Sequence, residues 1–167
     1  MDNVVVTGKG RIRGVERDGY IVFKGIPYAR PPVGELRWKA PEEKEAWDGI
    51  YEADRFSGRG VQDGERCVGF YDKEFYGNPE YDVPDSEDCL YLNIWMPEHG
   101  EGGKLPVAFW IHGGAFLGGY GSEMEFDGEA YAKRGVILVT FNYRLNVFGF
   151  LAHPWLSAEN GQGISGN

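Results

Sequence analysis

Residues 112–116 form the segment whose residue types are best suited to chemistry. They read His-Gly-Gly-Ala-Phe and directly follow an apolar run, residues 107–111, that predicts a buried β-strand. Small residues after a strand let the backbone turn sharply and direct consecutive N–H groups to one point. Such main-chain donors stabilise the negative charge that develops on a carbonyl oxygen under nucleophilic attack. The same pattern also fits a glycine-rich turn without chemistry, or a phosphate-binding loop.

Three apolar segments and one helix would position this motif. Residues 90–96, 107–111 and 136–141 are short, rich in β-branched and aromatic residues, and bounded by Pro or Gly, which predicts strands of one mixed sheet. Residues 127–134 predict a helix that ends before Gly135. A strand, a helix and a strand in succession favour a right-handed crossover and a largely parallel sheet. The fold class indicated is therefore α/β.

The amino-terminal segments alternate apolar and polar residues. Residues 3–7, 11–17 and 20–24 predict a small antiparallel meander that forms a separate sheet, with a hairpin at Asp18-Gly19. Residues 25–86 and those after Asn142 predict loops because they are rich in Gly and Pro.

Composition and charge exclude several classes of protein. The chain has 167 residues and a net charge of −9, which disfavours nucleic acid and anionic membrane surfaces as partners. The chain contains no apolar run of membrane-spanning length and no amino-terminal secretion signal, so we expect a cytoplasmic protein. The spacing of Cys67 and Cys89 matches no zinc site, and the sequence indicates neither a metal nor an organic cofactor.

Several sequence blocks around the motif carry a family resemblance. They are Asn-Tyr-Arg at 142–144, Phe-Gly-Phe at 148–150, residues 86–93, residues 23–29, residues 31–34 and residues 36–38. In this order around residues 112–116, they resemble the type-B carboxylesterase and cholinesterase family over residues 4–167. The resemblance implies the amino-terminal part of a single α/β-hydrolase domain, in which a small meander precedes strands of the central mixed sheet.

The resemblance also assigns roles at the motif. It implies that the backbone N–H groups of Gly114 and Ala115 belong to an oxyanion hole and that Gly113 serves the turn. Phe116 and Leu117 are expected to contact the substrate, a small-molecule carboxylic ester. His112 lies in the loop and is not implied to be the catalytic base.

The nucleophile expected of such an enzyme does not occur in these 167 residues. The catalytic serine lies in a Gly-x-Ser-x-Gly elbow, followed in the chain by an acid and a histidine. The nearest string, residues 163–167, reads Gly-Ile-Ser-Gly-Asn and has a different spacing. We therefore expect that the chain alone is inactive, that the domain is incomplete, and that its partner is the remaining carboxy-terminal part of the hydrolase.

Other positions are given structural roles by the resemblance. Arg37 and Glu87 are expected to pair as a buried salt bridge, the alternative being two solvated charges. Cys89 occupies a position that often bridges backward in the family, so Cys67 and Cys89 are either one disulfide or two free thiols. Arg144 follows a buried strand and is expected to need an anionic partner in the remaining part of the domain.

Three functions remain open from the sequence. The first is a serine esterase that acts through an acyl-enzyme. The second is a non-catalytic adhesion or scaffold protein on the same fold, because fold alone does not settle function. The third is that this chain is itself the mature product, a binding module without activity. Residues 112–116 favour the enzyme, since an adhesive protein has no need of aligned oxyanion donors.

Overall fold

A computed structural model describes residues 3–63, 69–70, 74, 77–98, 103–161, 163 and 165. The described strands are β1 (Val4–Thr7), β2 (Gly10–Arg13), β3 (Val15–Arg17), β4 (Tyr20–Pro27), β5 (Ile50–Glu52), β6 (Arg59–Gly60), β7 (Asp85–Ser86), β8 (Tyr91–Pro97), β9 (Val107–Ile111) and β10 (Ile137–Phe141). The described helices are α1 (Glu129–Ala132), α2 (Asn146–Gly149) and α3 (Pro154–Glu159), with 3₁₀ turns at Gly34–Leu36 and Met124–Phe126. In the ranges just given, no helix combines the length and the apolar content needed to cross a bilayer.

A five-stranded mixed sheet in the order β3-β4-β8-β10-β9 forms the centre of the described chain. The prediction that the three apolar segments share one mixed sheet is confirmed, because β10 lies between β8 and β9. Only β9 and β10 pair in parallel, and the other pairs of this sheet are antiparallel. The expectation of a largely parallel sheet is therefore wrong for the described strands, because β4 and β8 contribute antiparallel neighbours.

The amino-terminal strands belong to two sheets, so the predicted separate meander is wrong. β1 and β2 form a hairpin beside β5, whereas β3 and β4 form a hairpin across Asp18-Gly19 within the central sheet. The predicted strand 11–17 is interrupted at Gly14, where a Cβ would lie 2.7 Å from the Ile21 side chain. β4 is buried on both faces, which is why it pairs with β8 instead of forming a solvated ribbon.

Apolar side chains pack on both faces of β4 because successive side chains of a strand point to opposite faces. One cluster joins β4, β8, β10 and α1 through Tyr20, Val22, Trp95, Ala132 and Leu138. The other lies against the small sheet and consists of Ile12, Ile21, Phe23, Ile26 and Ala53. These clusters fix the sheet from which the glycine motif projects.

A buried asparagine links three strands of the central sheet. Asn93 in β8 accepts a hydrogen bond from the Gly25 amide at 2.9 Å and donates to the Thr140 hydroxyl at 3.1 Å. The β4–β8 register shifts between Phe23 and Ile26, so the Gly25 amide is satisfied by this side chain. Asn93 therefore holds β4 and β10 in place on either side of β8.

The segment after β10 contains helices where the sequence predicts loops. α2 and α3 are single short helices, and the Trp155 amide donates to His153 Nδ1 at 3.3 Å as an N-terminal cap of α3. The helix predicted over residues 127–134 is the shorter α1, which ends before Gly135 at φ +80°.

Candidate functional site

The glycine motif forms a tight turn with an unusual backbone. Gly114, Ala115 and Phe116 have φ values of +116°, +52° and +66°. The turn is closed by hydrogen bonds to the Gly114 carbonyl from the amides of Leu117 and Gly118, at 2.9 and 3.2 Å. Left-handed conformations at two non-glycine residues are costly, and such strain concentrates at functional sites.

Glycine is required at particular positions of this turn. A Cβ on Gly114 would lie 2.0 Å from the carbonyl oxygen of Gly118, and one on Gly119 would lie 2.4 Å from the carbonyl oxygen of Gly113. A Cβ on Gly113 would meet no atom of the described chain within 4 Å, and Gly113 is not among the residues with positive φ. The conformational requirement for glycine thus falls on Gly114, one residue later than the turn role predicted for Gly113.

The amide N–H groups of Gly114 and Ala115 make no hydrogen bond with any described residue. Both residues are exposed, at the end of β9 that leads out of the sheet. Successive main-chain N–H groups in a turn that lack an acceptor are available to donate to an anionic oxygen. That both amides face a closed cleft stays a prediction.

His112 is buried beside the turn. Its ring stacks on Tyr143 with centroids 4.2 Å apart, and its Nδ1 lies 2.9 Å from the Gly113 carbonyl oxygen. Because a carbonyl only accepts, Nδ1 carries the proton in this contact. Burial lowers the pKa of His112, and the bond to Gly113 opposes that effect only in part. A neutral, buried imidazole that holds the Gly113 carbonyl acts as an anchor of the loop.

The Asn-Tyr-Arg block anchors the same loop from the end of β10. The Tyr143 hydroxyl donates to the His112 carbonyl at 2.7 Å. The Asn142 side chain accepts from the Gly121 amide at 2.7 Å and donates to the Gly58 carbonyl at 3.1 Å. These contacts tie both ends of the glycine loop to β10.

Two further amide side chains were not predicted from the sequence. Gln62 accepts from the Gly119 amide at 3.0 Å. Asn146, at φ +45°, donates from its side chain to the Val61 carbonyl at 2.6 Å, and its backbone amide donates to the Phe116 carbonyl at 2.7 Å. Local periodicity does not indicate contacts between residues so far apart in the chain. The one sequence signal for Asn146 is that Asn tolerates left-handed backbone.

Phe116 and Leu117 are exposed by 60% and 63%. The Phe116 ring contacts Phe150 at a centroid distance of 4.5 Å. Beside them the edge strand β9 also presents apolar side chains, with Phe109 58% exposed. This apolar surface adjoins the unpaired amides, and the substrate contact of Phe116 and Leu117 stays a prediction.

Arg37 and Glu87 form a bidentate ion pair. The Arg37 Nε and Nη2 atoms lie 2.5 and 2.7 Å from the two carboxylate oxygens of Glu87. The hydrogen bonds to Glu87 raise the pKa of Arg37. The side chains are 37% and 25% exposed, so the expected pair forms and is partly buried in the described chain.

Arg144 is buried, and its Nη1 donates to the Lys39 carbonyl at 2.8 Å. An anionic partner for Arg144 in the remaining part of the domain stays a prediction. Burial lowers the pKa of Arg144, while neighbouring Cys89 and Tyr28 oppose the shift.

Cys89 is a free thiol, 1% exposed, while Cys67 lies outside the described residues. Burial raises the pKa of Cys89 to about 12, so the thiol is protonated and unreactive. The described residues contain no group of three or more His, Cys, Asp or Glu side chains that could hold a metal ion.

Comparison with known proteins places these features in a family. A sequence profile of the carboxylesterase family matches residues 1–165. The chain is 45% identical to a fumonisin B1 esterase of Sphingopyxis macrogoltabida over 166 residues, covering 96% of this chain and 28% of that protein. It is 43% identical to the para-nitrobenzyl esterase of Bacillus subtilis over 150 residues, covering 89% of this chain and 29% of that protein.

Solved structures of carboxylesterases are also similar to this chain. A Geobacillus stearothermophilus carboxylesterase, 49% identical, superposes with a TM-score of 0.74 over 90% of this chain and 28% of its own. A PNB esterase, 37% identical, superposes with a TM-score of 0.83 over 100% of this chain and 32% of its own. The chain therefore spans less than a third of the length of these relatives. With this match and the α/β-hydrolase strands that carry the glycine turn, the chain belongs to the carboxylesterase family.

Proposed function

We propose that this chain supplies two backbone donors of the oxyanion hole in a serine-dependent carboxylic ester hydrolase. The observation that carries the proposal is the pair of amides at Gly114 and Ala115, which find no acceptor among the described residues and follow one another in left-handed backbone. Membership of the carboxylesterase family and the esterase names of the relatives support the same conclusion.

The donors act on charge that forms during attack. When a serine oxygen adds to the ester carbonyl, the carbonyl π electrons move to oxygen, which becomes an oxyanion. The N–H groups of Gly114 and Ala115 donate to that oxygen, and a third N–H comes from the residue after the serine. Preorganised amides stabilise the transition state because they need no reorientation as the charge appears.

The remaining machinery is proposed to lie outside this chain. Residues 1–167 contain no Gly-x-Ser-x-Gly string, so the serine, acid and histidine come from the rest of the hydrolase domain. The acyl group then passes from its alcohol to the serine and from the serine to water, with no metal or organic cofactor. Phe116 and Leu117, beside the donors, are proposed to contact the apolar part of the ester.

A hybrid enzyme tests the proposal. Residues 1–165 are joined to the matching downstream part of the Bacillus subtilis para-nitrobenzyl esterase, and hydrolysis of an aryl acetate is measured for the hybrid and for the isolated chain. We expect the hybrid to turn over and to be blocked by a serine-directed organophosphate. We expect the isolated chain to show no hydrolysis above background, because donors accelerate only an attack that a nucleophile delivers.

Two outcomes contradict the proposal. An inactive but folded hybrid would show that this glycine loop cannot serve an esterase. Robust, organophosphate-sensitive turnover by the isolated chain would show that the nucleophile lies within residues 1–167.

A further inference from the structure

Gln62 bridges the loop after β6 to the far end of the glycine turn. Its Oε1 accepts from the Gly119 amide at 3.0 Å, and its Nε2 lies 3.3 Å from the Gly119 carbonyl oxygen and 3.1 Å from the Gly60 carbonyl oxygen. Both ends of the side-chain amide are therefore used, and Gly119 is held at its N–H and at its C=O. The side chain thus pairs with Gly119 as a neighbouring strand would.

The contact at Gly119 reaches one of the proposed oxyanion donors through a single peptide plane. Gly119 packs so closely on the Gly113 carbonyl that a Cβ there would lie 2.4 Å from its oxygen. The Gly113 carbonyl and the Gly114 N–H belong to the same planar peptide group and point in opposite directions. Whatever fixes the Gly113 carbonyl therefore fixes the direction of the Gly114 N–H.

His112 and Gln62 hold this peptide from two sides. His112 Nδ1 donates to the Gly113 carbonyl at 2.9 Å, and Gln62 keeps Gly119 against the same oxygen. Asn146 donates to the Val61 carbonyl at 2.6 Å, so the loop that carries Gln62 is itself fixed. The segment around residues 60–62 thus packs against the glycine turn and holds it in place.

We propose that Gln62 is a positioning residue that sets the orientation of the Gly114 amide toward the oxyanion. The proposal rests on the proposed function, since it names a further residue of the same site. Gln62 does not touch the reacting atoms in this scheme, and it acts by hydrogen bonding to Gly119.

Replacement of Gln62 by Met separates hydrogen bonding from space filling. Gln62→Met keeps the length of the side chain but removes its donor and its acceptor, and Gln62→Ala removes both and the bulk. Gln62→Glu keeps the acceptor for the Gly119 amide but replaces the donor to the Gly60 and Gly119 carbonyl oxygens by a second acceptor. Asp63→Ala, at the exposed next residue, is the matched control. Each variant is made in the hybrid esterase and in the isolated chain.

Two readouts are required together. In the hybrid, Gln62→Met and Gln62→Ala are expected to lower kcat about tenfold or more with KM within about twofold, because misplacement affects the transition state more than ester binding. In the isolated chain, amide hydrogen exchange at Gly119 is expected to become about tenfold faster, since its acceptor is gone. Gln62→Glu should not restore kcat, because its second carboxylate oxygen would face the carbonyl oxygens of Gly60 and Gly119, and Asp63→Ala should change neither readout.

The outcomes distinguish the two proposals. An inactive parent hybrid contradicts the proposed function, and exchange at Gly119 in the isolated chain still reports on the Gln62 contact. In an active hybrid, a Gln62→Met variant with parental kcat overturns the positioning role, even if exchange is faster. Unchanged exchange at Gly119 in Gln62→Met overturns it as well, because the hydrogen bond would then not be holding the loop.

Discussion

Substitution of Gly114 by Ala is the sharpest perturbation of the proposed oxyanion turn. The new Cβ would lie 2.0 Å from the Gly118 carbonyl oxygen and 2.5 Å from the Gly118 carbonyl carbon. These atoms are backbone, so they cannot move aside as the end of a flexible side chain could. Gly114 also has φ +116°, a conformation that alanine adopts only under strain of about 1–3 kcal/mol.

The expected size of the effect follows from that contact. Relief to van der Waals distance requires the backbone at Gly114 or Gly118 to move by more than about 1 Å. Such a shift breaks the bonds from the Leu117 and Gly118 amides to the Gly114 carbonyl, at 2.9 and 3.2 Å, that close the turn. A displacement of about 1 Å at a catalytic group, or loss of one oxyanion donor, lowers turnover about 100-fold or more.

The assay compares Gly114→Ala with Gly113→Ala in the hybrid esterase, with an aryl acetate as substrate. A Cβ at Gly113 meets nothing in the described chain within 4 Å, so this control is expected to stay within about threefold of the parent. We expect kcat of Gly114→Ala to fall about 100-fold with both variants folded, as checked by circular dichroism. Equal activity of the two variants would refute the argument that Gly114 holds the donors in place.

Three further predictions concern residues that support the site. Asn146 has φ +45°, so Asn146→Ala should be about 1 kcal/mol less stable than Asn146→Gly in urea unfolding, and equal stabilities would contradict the strain. Burial, with a smaller contribution from nearby Glu125, raises the pKa of Glu123 from 4.5 to about 7. Between pH 4.5 and 7 the Glu123 carboxyl is therefore protonated in the folded chain and ionised in the unfolded chain. The free energy of unfolding should therefore fall as pH rises from about 4.5 to 7, and Glu123→Gln should flatten that fall, whereas an unchanged slope would exclude Glu123 as its source. Asn93→Leu leaves the Gly25 amide and the Thr140 hydroxyl without their partner and should lower the free energy of unfolding by about 2–4 kcal/mol, so a loss below 1 kcal/mol would show that Asn93 is not the link between these strands.

Local sequence patterns predicted the elements that carry the turn. The apolar runs that became β8, β9 and β10 were recognisable because buried strands are short, β-branched and bounded by Gly or Pro. The hairpin at Asp18-Gly19 was predictable for the same local reason, since a two-residue turn with positive φ needs glycine. The placement of β3 and β4 in the central sheet was not predictable. Alternation of apolar and polar side chains along a strand does not indicate which other strand pairs with it.

The family blocks directed attention to particular residues and left the contacts of these residues open. The pairing of Arg37 with Glu87 came from the resemblance, while its bidentate geometry became visible only in the folded chain. Asn142 and Tyr143 marked the family, and the structure added that they hold Gly121 and the His112 carbonyl.

By itself, the sequence determined the fold class, the family and the segment that carries the unpaired amides, because these depend on residue types at neighbouring positions. Tertiary structure alone decided that Gly114 and not Gly113 needs to be glycine, and that Gln62 holds Gly119. The Gln62–Gly119 contact joins residues 57 positions apart. A glutamine in a loop has the same local pattern whether it is solvated or bonded, since its partner depends on how two distant loops meet once the sheet between them has formed.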